Sequence, residues 1–290
     1  MNFIIEDAQD FRELAHFLAQ QNKQKSSHIG YCGLKEEEIF QTLNEDFFDE
    51  NGNSHFLIAR NEVGDVIAAV GVEEDGTSGE VWGPFNEESS IEVQHQLFHQ
   101  LLTSHPHIQT FRFFINNENT KQSSYMDTIN AAKTGEHLIL IVNRDNFVGV
   151  NQFISTPFNQ SDFKAFQQLH HELFPNTYYN AETIMSRLSK NCVLKVLKNE
   201  LNKFQGYAYY EVDPEMGEAS LEYIGISPNA QNRGLGTILL REVLTEIFTY
   251  SQISDIQLCV DNGNTKANHV YLNVGFQPKD ILNSYVLKRD

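Results

Sequence analysis

The sequence predicts two α/β (α+β) domains in tandem, each a mixed, mostly antiparallel sheet flanked by helices. Three observations carry this prediction. At 290 residues the chain is longer than the roughly 100–200 residues of one ordinary domain. Residues 115–121 read I-N-N-E-N-T-K, and 145 positions later residues 260–266 read V-D-N-G-N-T-K. The flanks of both copies run through the same order of helical and strand-like patterns, the signature of an internal repeat. With 40 % hydrophobic residues, 21 Phe and 11 Tyr, each half can bury a core.

Element by element, the two halves run in parallel. Each opens with helices, at 7–20 and 161–174, behind an acidic or hydroxyl cap and with one apolar face. A hairpin-like strand pair follows, at 56–60 and 66–73 in the first half and at 193–197 and 205–212 in the second. Third strands are expected at 79–85 and 219–226. Helical patterns come next, at 93–102 and 237–249. In the latter, Ile238, Leu239, Val243, Leu244, Ile247 and Phe248 form an apolar stripe at helical spacing. Strands at 111–115 and 256–260 lead into the repeated heptapeptide, and each half closes with a helix-like segment and a final strand. The polar stretch 143–160 separates domains expected at 1–145 and 150–290.

Composition narrows the function. Lys and Arg number 21 against 39 Asp and Glu, a net charge of −18 with pI ≈ 4.9. That field repels a phosphate backbone and mildly attracts a cation, so a nucleic-acid partner is not expected. Cys32, Cys192 and Cys259 lie far apart without metal or redox spacing, which fits a reducing compartment. The opening M-N-F-I-I-E-D lacks the basic region and long apolar stretch of a signal peptide. No apolar run nears the roughly 18 residues of a membrane span. The chain is expected in the cytoplasm, as a monomer or homodimer. His170-His171-Glu172-Leu173 lacks the second histidine of H-E-x-x-H, and His105-Pro106-His107 falls in a polar turn. Both sets are expected at the surface, and no metal is expected. Cys259, on its strand, is expected in the core.

The chemistry concentrates at residues 221–240, L-E-Y-I-G-I-S-P-N-A-Q-N-R-G-L-G-T-I-L-L. This is a strand, a loop, and then Gly234 and Gly236 opening an apolar-faced helix. Free backbone N–H groups and the positive end of a helix dipole suit a phosphate or pyrophosphate. Leu239 stands where a dinucleotide fingerprint needs its third glycine, and no Gly-Lys-Ser/Thr closes a P-loop. Gln231-Asn232-Arg233-Gly234-Leu235-Gly236 resembles instead the Q/R-x-x-G-x-G/A loop of the GNAT superfamily, the acyl-CoA-dependent N-acyltransferases. Asn264, Ala267, Tyr271 and Gly275-Phe276 resemble that family's second CoA-binding segment. The resemblance covers residues 161–290, and the first half only through its pattern.

The resemblance implies two GNAT-like domains and an N-acetyltransferase using acetyl-CoA as co-substrate. Backbone N–H groups at Arg233, Gly234, Leu235, Gly236 and Thr237, with neighbouring Gln231 and Asn232, would hold the pyrophosphate. The strand ending at 224–227 would splay from its neighbour near Cys259 and receive the pantetheine arm. The amide of Ile226 would polarise the acyl carbonyl, Asn264 would contact the pantetheine or pyrophosphate, and Tyr271 would protonate the departing thiolate. Because an ammonium has no lone pair, a base must free the amine, and Glu222 is the first candidate. Phe174, Tyr178 and Tyr179 are placed around the acceptor, a small-molecule or peptide amine, with Pro175, Tyr209, Glu211, Ser284 and Tyr285 as secondary choices. The alternative function is a non-catalytic CoA-binding sensor or scaffold.

In the first half, the segment matching the glycine-rich loop reads N-E-E-S-S (residues 86–90), with two carboxylates and no glycine. Met126 occupies the position of Tyr271. The first domain is therefore expected to be a degenerate copy that does not bind acyl-CoA.

Overall fold

A computed structural model of the chain describes residues 2–48, 54–175 and 177–289. The elements run β1 (Ile4–Asp7), α1 (Phe11–Asn22), α2 (Glu36–Asp46), β2 (Phe56–Arg60), β3 (Val66–Asp75), β4 (Ser78–Asn86), α3 (Glu92–Ser104), β5 (Thr110–Asn116), α4 (Thr120–Thr128) and β6 (Ala132–Asn143). They continue with β7 (Thr156–Pro157), α5 (Phe163–Leu173), α6 (Ala181–Arg187), β8 (Cys192–Lys198), β9 (Phe204–Asp213), β10 (Glu218–Ile226), α7 (Leu235–Ile247), β11 (Asp255–Asp261), α8 (Thr265–Val274) and β12 (Gln277–Lys288). The chain divides into two compact units: unit 1 is Met1–His137 with Asp280–Asp290, and unit 2 is Leu138–Lys279.

In unit 1 the strand order is β1-β2-β3-β4-β5-β12. All neighbours are antiparallel except β4 and β5, which pair parallel from Ser78↔Thr110. The closing strand comes from the far end of the chain, in register from Leu282↔Asn116 to Lys288↔Thr110. Phe56, Phe85, Phe111 and Phe113 bury completely with Leu14, Leu18 and Leu97. Helix α1 starts at Phe11, because the Asp10 carboxylate accepts the amides of Arg12 and Glu13 at 2.9 and 3.0 Å, an N-cap that fixes the first turn. The residues before it form the edge strand β1, which the sequence did not disclose.

Unit 2 is built on the antiparallel order β10-β9-β8-β7, while the later part of β6 lies beside β11. Period-two alternation divides β9 between two cores. Ala208, Tyr210 and Val212 join Leu239, Val243, Leu244 and Ile256, together with Leu140 and Val142 of β6. Tyr207 and Tyr209 face the other way, onto Phe166, Leu169, Ile184 and Tyr223. The predicted stripe on α7 is rotated slightly: Ile238 is exposed, whereas Leu240 and Glu242 are buried. Glu242 is held because its carboxylate accepts the amides of Ile154 and Ser155 at 2.6 and 3.0 Å, which satisfies its charge and fastens the incoming segment.

No described helix is long and apolar enough to cross a membrane.

Candidate active site

The site in unit 2 begins at an irregularity in β10. Leu221 pairs with Tyr210 and Tyr223 with Tyr209, so Glu222 has no partner in the ladder. Such a bulge re-aims a side chain, and here the Glu222 carboxylate accepts a hydrogen bond from the Tyr178 hydroxyl. Beyond the bulge, Gly225 pairs with Tyr207, and the Ser227 amide donates to Gln205 O at 2.8 Å. Antiparallel strands alternate the side to which N–H and C=O point. The amides of Ile224 and Ile226 are therefore directed away from β9. On that side lies β11, which packs near β10 but belongs to no common ladder with it. Two neighbouring strands that share no hydrogen bonds leave their facing backbone groups open to an extended chain.

The loop after β10 is fixed from within. A short 3-10 turn spans Pro228–Ala230, and Gln231 Nε2 donates to Ile226 O at 3.0 Å. Gln231 thus braces the end of the strand. Gly234 is the N-cap of α7, left-handed at φ 74°, without a side-chain cap, a conformation open to glycine and costly for other residues. Among the described residues, the amides of Asn232 to Thr237 have no hydrogen-bond acceptor. The first bond of the helix is Ile238 N to Gly234 O, 3.0 Å. These free amides and the helix dipole put positive potential at the start of α7. Arg233 beside them is exposed and forms no ion pair among the described residues. A Cβ placed on Gly236 would lie 3.6 Å from Ile226 Cγ1 and 3.9 Å from Val270 Cγ2. The end of β10, the start of α7 and the middle of α8 therefore meet at this point.

Tyr271 follows Val270 on α8. Its ring meets Phe276 edge-on at 5.6 Å, and burial raises its hydroxyl above the ordinary tyrosine value. Asn264 caps α8, its Oδ1 accepting the Ala267 amide at 3.1 Å. It is exposed, and among the described residues no hydrogen bond or ion pair joins it to the glycine-rich loop.

An aromatic cluster gathers on the Glu222 side. The Tyr178, Phe174 and His170 rings lie 5.7, 5.2 and 4.8 Å from Tyr223, and Tyr178 is 4.6 Å from Tyr179. The Tyr223 hydroxyl bonds Thr177 and accepts the Tyr179 amide at 3.3 Å. The Tyr178 ring is 70 % exposed, yet its hydroxyl is pushed well above the usual phenol range by local desolvation and by the Glu222 carboxylate. Arg187 stacks over Tyr179 at 4.5 Å and pairs with Glu211 at 2.7 Å, which holds Glu211 below the usual carboxylate range. The three primary acceptor-side residues and Glu222 are thus brought together. Tyr223 was not singled out from the sequence, although its place beside Glu222 on an alternating strand was a usable signal.

Several expectations need correction. His170 is buried rather than on the surface: Nδ1 lies 2.5 Å from Tyr207 Oη and Nε2 2.8 Å from Tyr179 O, because it sits on the inward face of α5. His105 is also buried, while His107 and His171 are exposed. Cys259 is exposed rather than in the core, because Ile256 and Val260 take the inward positions of β11 and Cys259 falls on the alternate face. Its thiol is nevertheless pushed up to about 11 by desolvation and by Asp261. Ser284 and Tyr285 belong to unit 1, where Tyr285 joins the core.

Residues 157–276 match the model of the Acetyltransferase (GNAT) family. This segment is a GNAT-family domain. The whole chain also resembles solved GNAT structures. A GCN5-related N-acetyltransferase from Sphaerobacter thermophilus superposes with a TM-score of 0.75 at 15 % identity, covering 99 % of this chain and 95 % of that one. A tandem GNAT protein from the clavulanic acid biosynthesis pathway matches with a TM-score of 0.63 at 10 % identity, covering 99 % and 98 %. A GNAT acetyltransferase from Colwellia psychrerythraea gives 0.57 at 10 %, covering 98 % and 100 %. These likenesses extend the GNAT-like fold over both halves.

The first half carries the same scaffold with different loop chemistry. Asn119 caps α4 at φ −81°, ψ 70°, and Asn264 caps α8 at φ −78°, ψ 68°. In the segment that corresponds to the glycine-rich loop of the GNAT domain, the Glu88 amide donates to Asn86 Oδ1 at 2.8 Å and the Glu92 amide to Ser90 Oγ at 3.2 Å. Lys121 Nζ donates to Asn86 O at 3.0 Å and to Glu88 O. These contacts take up the Glu88 and Glu92 amides and the Asn86 and Glu88 carbonyls. Met126 is fully buried in the core of unit 1.

Proposed function

We propose that the GNAT domain transfers an acetyl group from acetyl-CoA to a primary amine of a small molecule or peptide, by direct attack in a ternary complex. The observation that carries this reading is the start of α7, where the amides from Asn232 to Thr237, around a left-handed Gly234, have no acceptors among the described residues. That arrangement fits a pyrophosphate, and the unladdered edge of β10 fits an extended pantetheine arm. Acetyl-CoA supplies an activated thioester. The Ile226 amide, turned from β9, stabilises negative charge developing on the acyl oxygen.

Glu222 takes the proton that leaves the amine as the new C–N bond forms. As the C–S bond breaks, Tyr271 gives its proton to the sulfur, and burial keeps that hydroxyl protonated near neutrality. Phe174, Tyr178 and Tyr179 enclose the acceptor. A covalent route through Cys259 is disfavoured, since a thiol held near 11 carries little thiolate at neutral pH. The first domain is a degenerate copy whose loop, closed by Asn86, Ser90 and Lys121, does not take acyl-CoA. The free cysteines agree with a cytoplasmic setting.

Calorimetric titration of the full chain with acetyl-CoA tests this reading, followed by an amine screen. One site per chain, lost on Gly234→Glu and Gly236→Glu, is expected. No binding would overturn the acyl-CoA assignment, and two sites would overturn the degeneracy of the first domain. Binding without turnover of any amine would favour the sensor reading.

A further inference from the structure

Unit 1 brings together four residues of which only His105 and His107 are close in sequence. His55 directly precedes β2, Glu74 lies near the end of β3, His105 is the C-cap of α3, and His107 sits in the turn before β5. Glu74 is the hub. Its Oε1 lies 3.5 Å from His105 Nε2 and 4.0 Å from His55 Nδ1, and its Oε2 lies 3.0 Å from His107 Nε2. One ligand atom from each of His55, Glu74 and His105 lies within 4.8 Å of the others. The His55 and His105 rings meet edge-to-face at 5.3 Å.

We propose that His55, Glu74 and His105 form a binding site for a divalent transition-metal ion of the Zn2+ type, with His107 orienting Glu74 from outside the coordination sphere.

Two features point to a ligand rather than to a chance group of polar residues. His105 Nδ1 lies 2.9 Å from Leu101 O. A carbonyl oxygen only accepts, so Nδ1 carries the hydrogen and Nε2 is left to face Glu74, the outer-shell arrangement that fixes the tautomer of a ligating imidazole. His55 Nδ1 is fully buried with no hydrogen-bond partner, and the nearest acidic oxygen is that of Glu74. A buried polar atom without a partner is costly, and a cation between Nδ1 and Oε1 removes that cost.

The donor set selects the ion. Imidazole nitrogens with one carboxylate suit Zn2+ and its first-row neighbours, whereas Mg2+ and Ca2+ prefer oxygen alone. Bonds of about 2.0–2.1 Å in a tetrahedral site put ligand atoms about 3.3 Å apart. The His105–Glu74 separation of 3.5 Å is already close to that, and His55 Nδ1, 4.0 Å from Glu74 Oε1, is the donor that has to move inward when the ion binds. Such an ion would fasten the end of α3 to the β2–β3 hairpin.

The test is calorimetric titration of the full-length protein with ZnCl2 after chelator treatment, with Co2+ as a spectroscopic substitute. One saturable equivalent is expected, with Co2+ giving the visible spectrum of a tetrahedral site. Glu74→Gln and His105→Gln should abolish that equivalent, and the exposed His107→Gln should weaken it by about 10-fold or more. Because His107 lies at the surface, its variant separates lost binding from lost folding, and circular dichroism verifies the other two. No saturable Zn2+ binding would overturn the proposal. So would an equivalent that persists unchanged in Glu74→Gln and His105→Gln, since it would then belong to other histidines.

Discussion

The hydroxyl of Tyr178 donates to the carboxylate of Glu222, tying the segment after α5 to the bulge of β10. If that carboxylate is the base that frees the amine, Glu222→Gln should lower kcat by about 10²–10⁴-fold and leave the affinity for acetyl-CoA unchanged. The residual rate should climb tenfold per pH unit up to the pKa of the amine, because the variant must use amine already neutral in solution. An unaltered kcat in steady-state assays would move the base elsewhere.

The two glycines of the loop should respond differently to alanine. At Gly234 the left-handed backbone, φ 74°, penalises a Cβ by about 1–2 kcal/mol, so Gly234→Ala should lose stability and acetyl-CoA affinity together. Gly236 lies in a helical turn, where a Cβ would make ordinary contacts. Gly236→Ala should keep binding and gain up to about 1 kcal/mol from helix propensity. Denaturation midpoints and calorimetry on the same preparations read both effects.

Lys121 closes the loop of the first domain. Lys121→Met removes two charge-assisted hydrogen bonds, to Asn86 O and Glu88 O, and should cost about 1–3 kcal/mol. Faster hydrogen exchange at the Glu88 and Glu92 amides would locate the loss. Protection unchanged there would mean that the lysine is dispensable to the loop.

Cys259 is exposed yet holds its thiol near 11, against an ordinary 9.0. Only the thiolate reacts, so raising the value by two units leaves about 100-fold less nucleophile near neutrality. Alkylation followed by site-specific mass spectrometry should find Cys259 about 100-fold slower in the folded protein than in urea at pH 7.5. The folded rate should rise tenfold per pH unit until it levels near 11. A plateau below pH 9 would contradict the shift.

Much of the fold was legible, because strands such as 56–60 and 205–212 are short, mostly apolar runs between polar segments and α7 carries a continuous apolar stripe. The short edge strands β1 and β7 were not, since four and two residues are too few to display a period. The glycine-rich loop was readable because glycine and a helix start form a local pattern. His170 and His105 were misjudged because their burial depends on partners distant in sequence, Tyr207 for one and Glu74 for the other. The destination of the last strand was hidden for a different reason. Both halves end in a strand, and an internal repeat reads the same whichever copy that strand completes.

That destination has a consequence for synthesis. Strand β5 acquires its neighbour only when residues 282–288 are available, more than 160 positions downstream. A ribosome that has released the first half has not yet released all of unit 1, so the unit encoded first cannot be the one finished first. Until then the side of β5 that β12 will occupy is an exposed template for a stray strand. A cut between residues 145 and 150 would yield a first fragment without its closing strand and a second carrying one that belongs elsewhere.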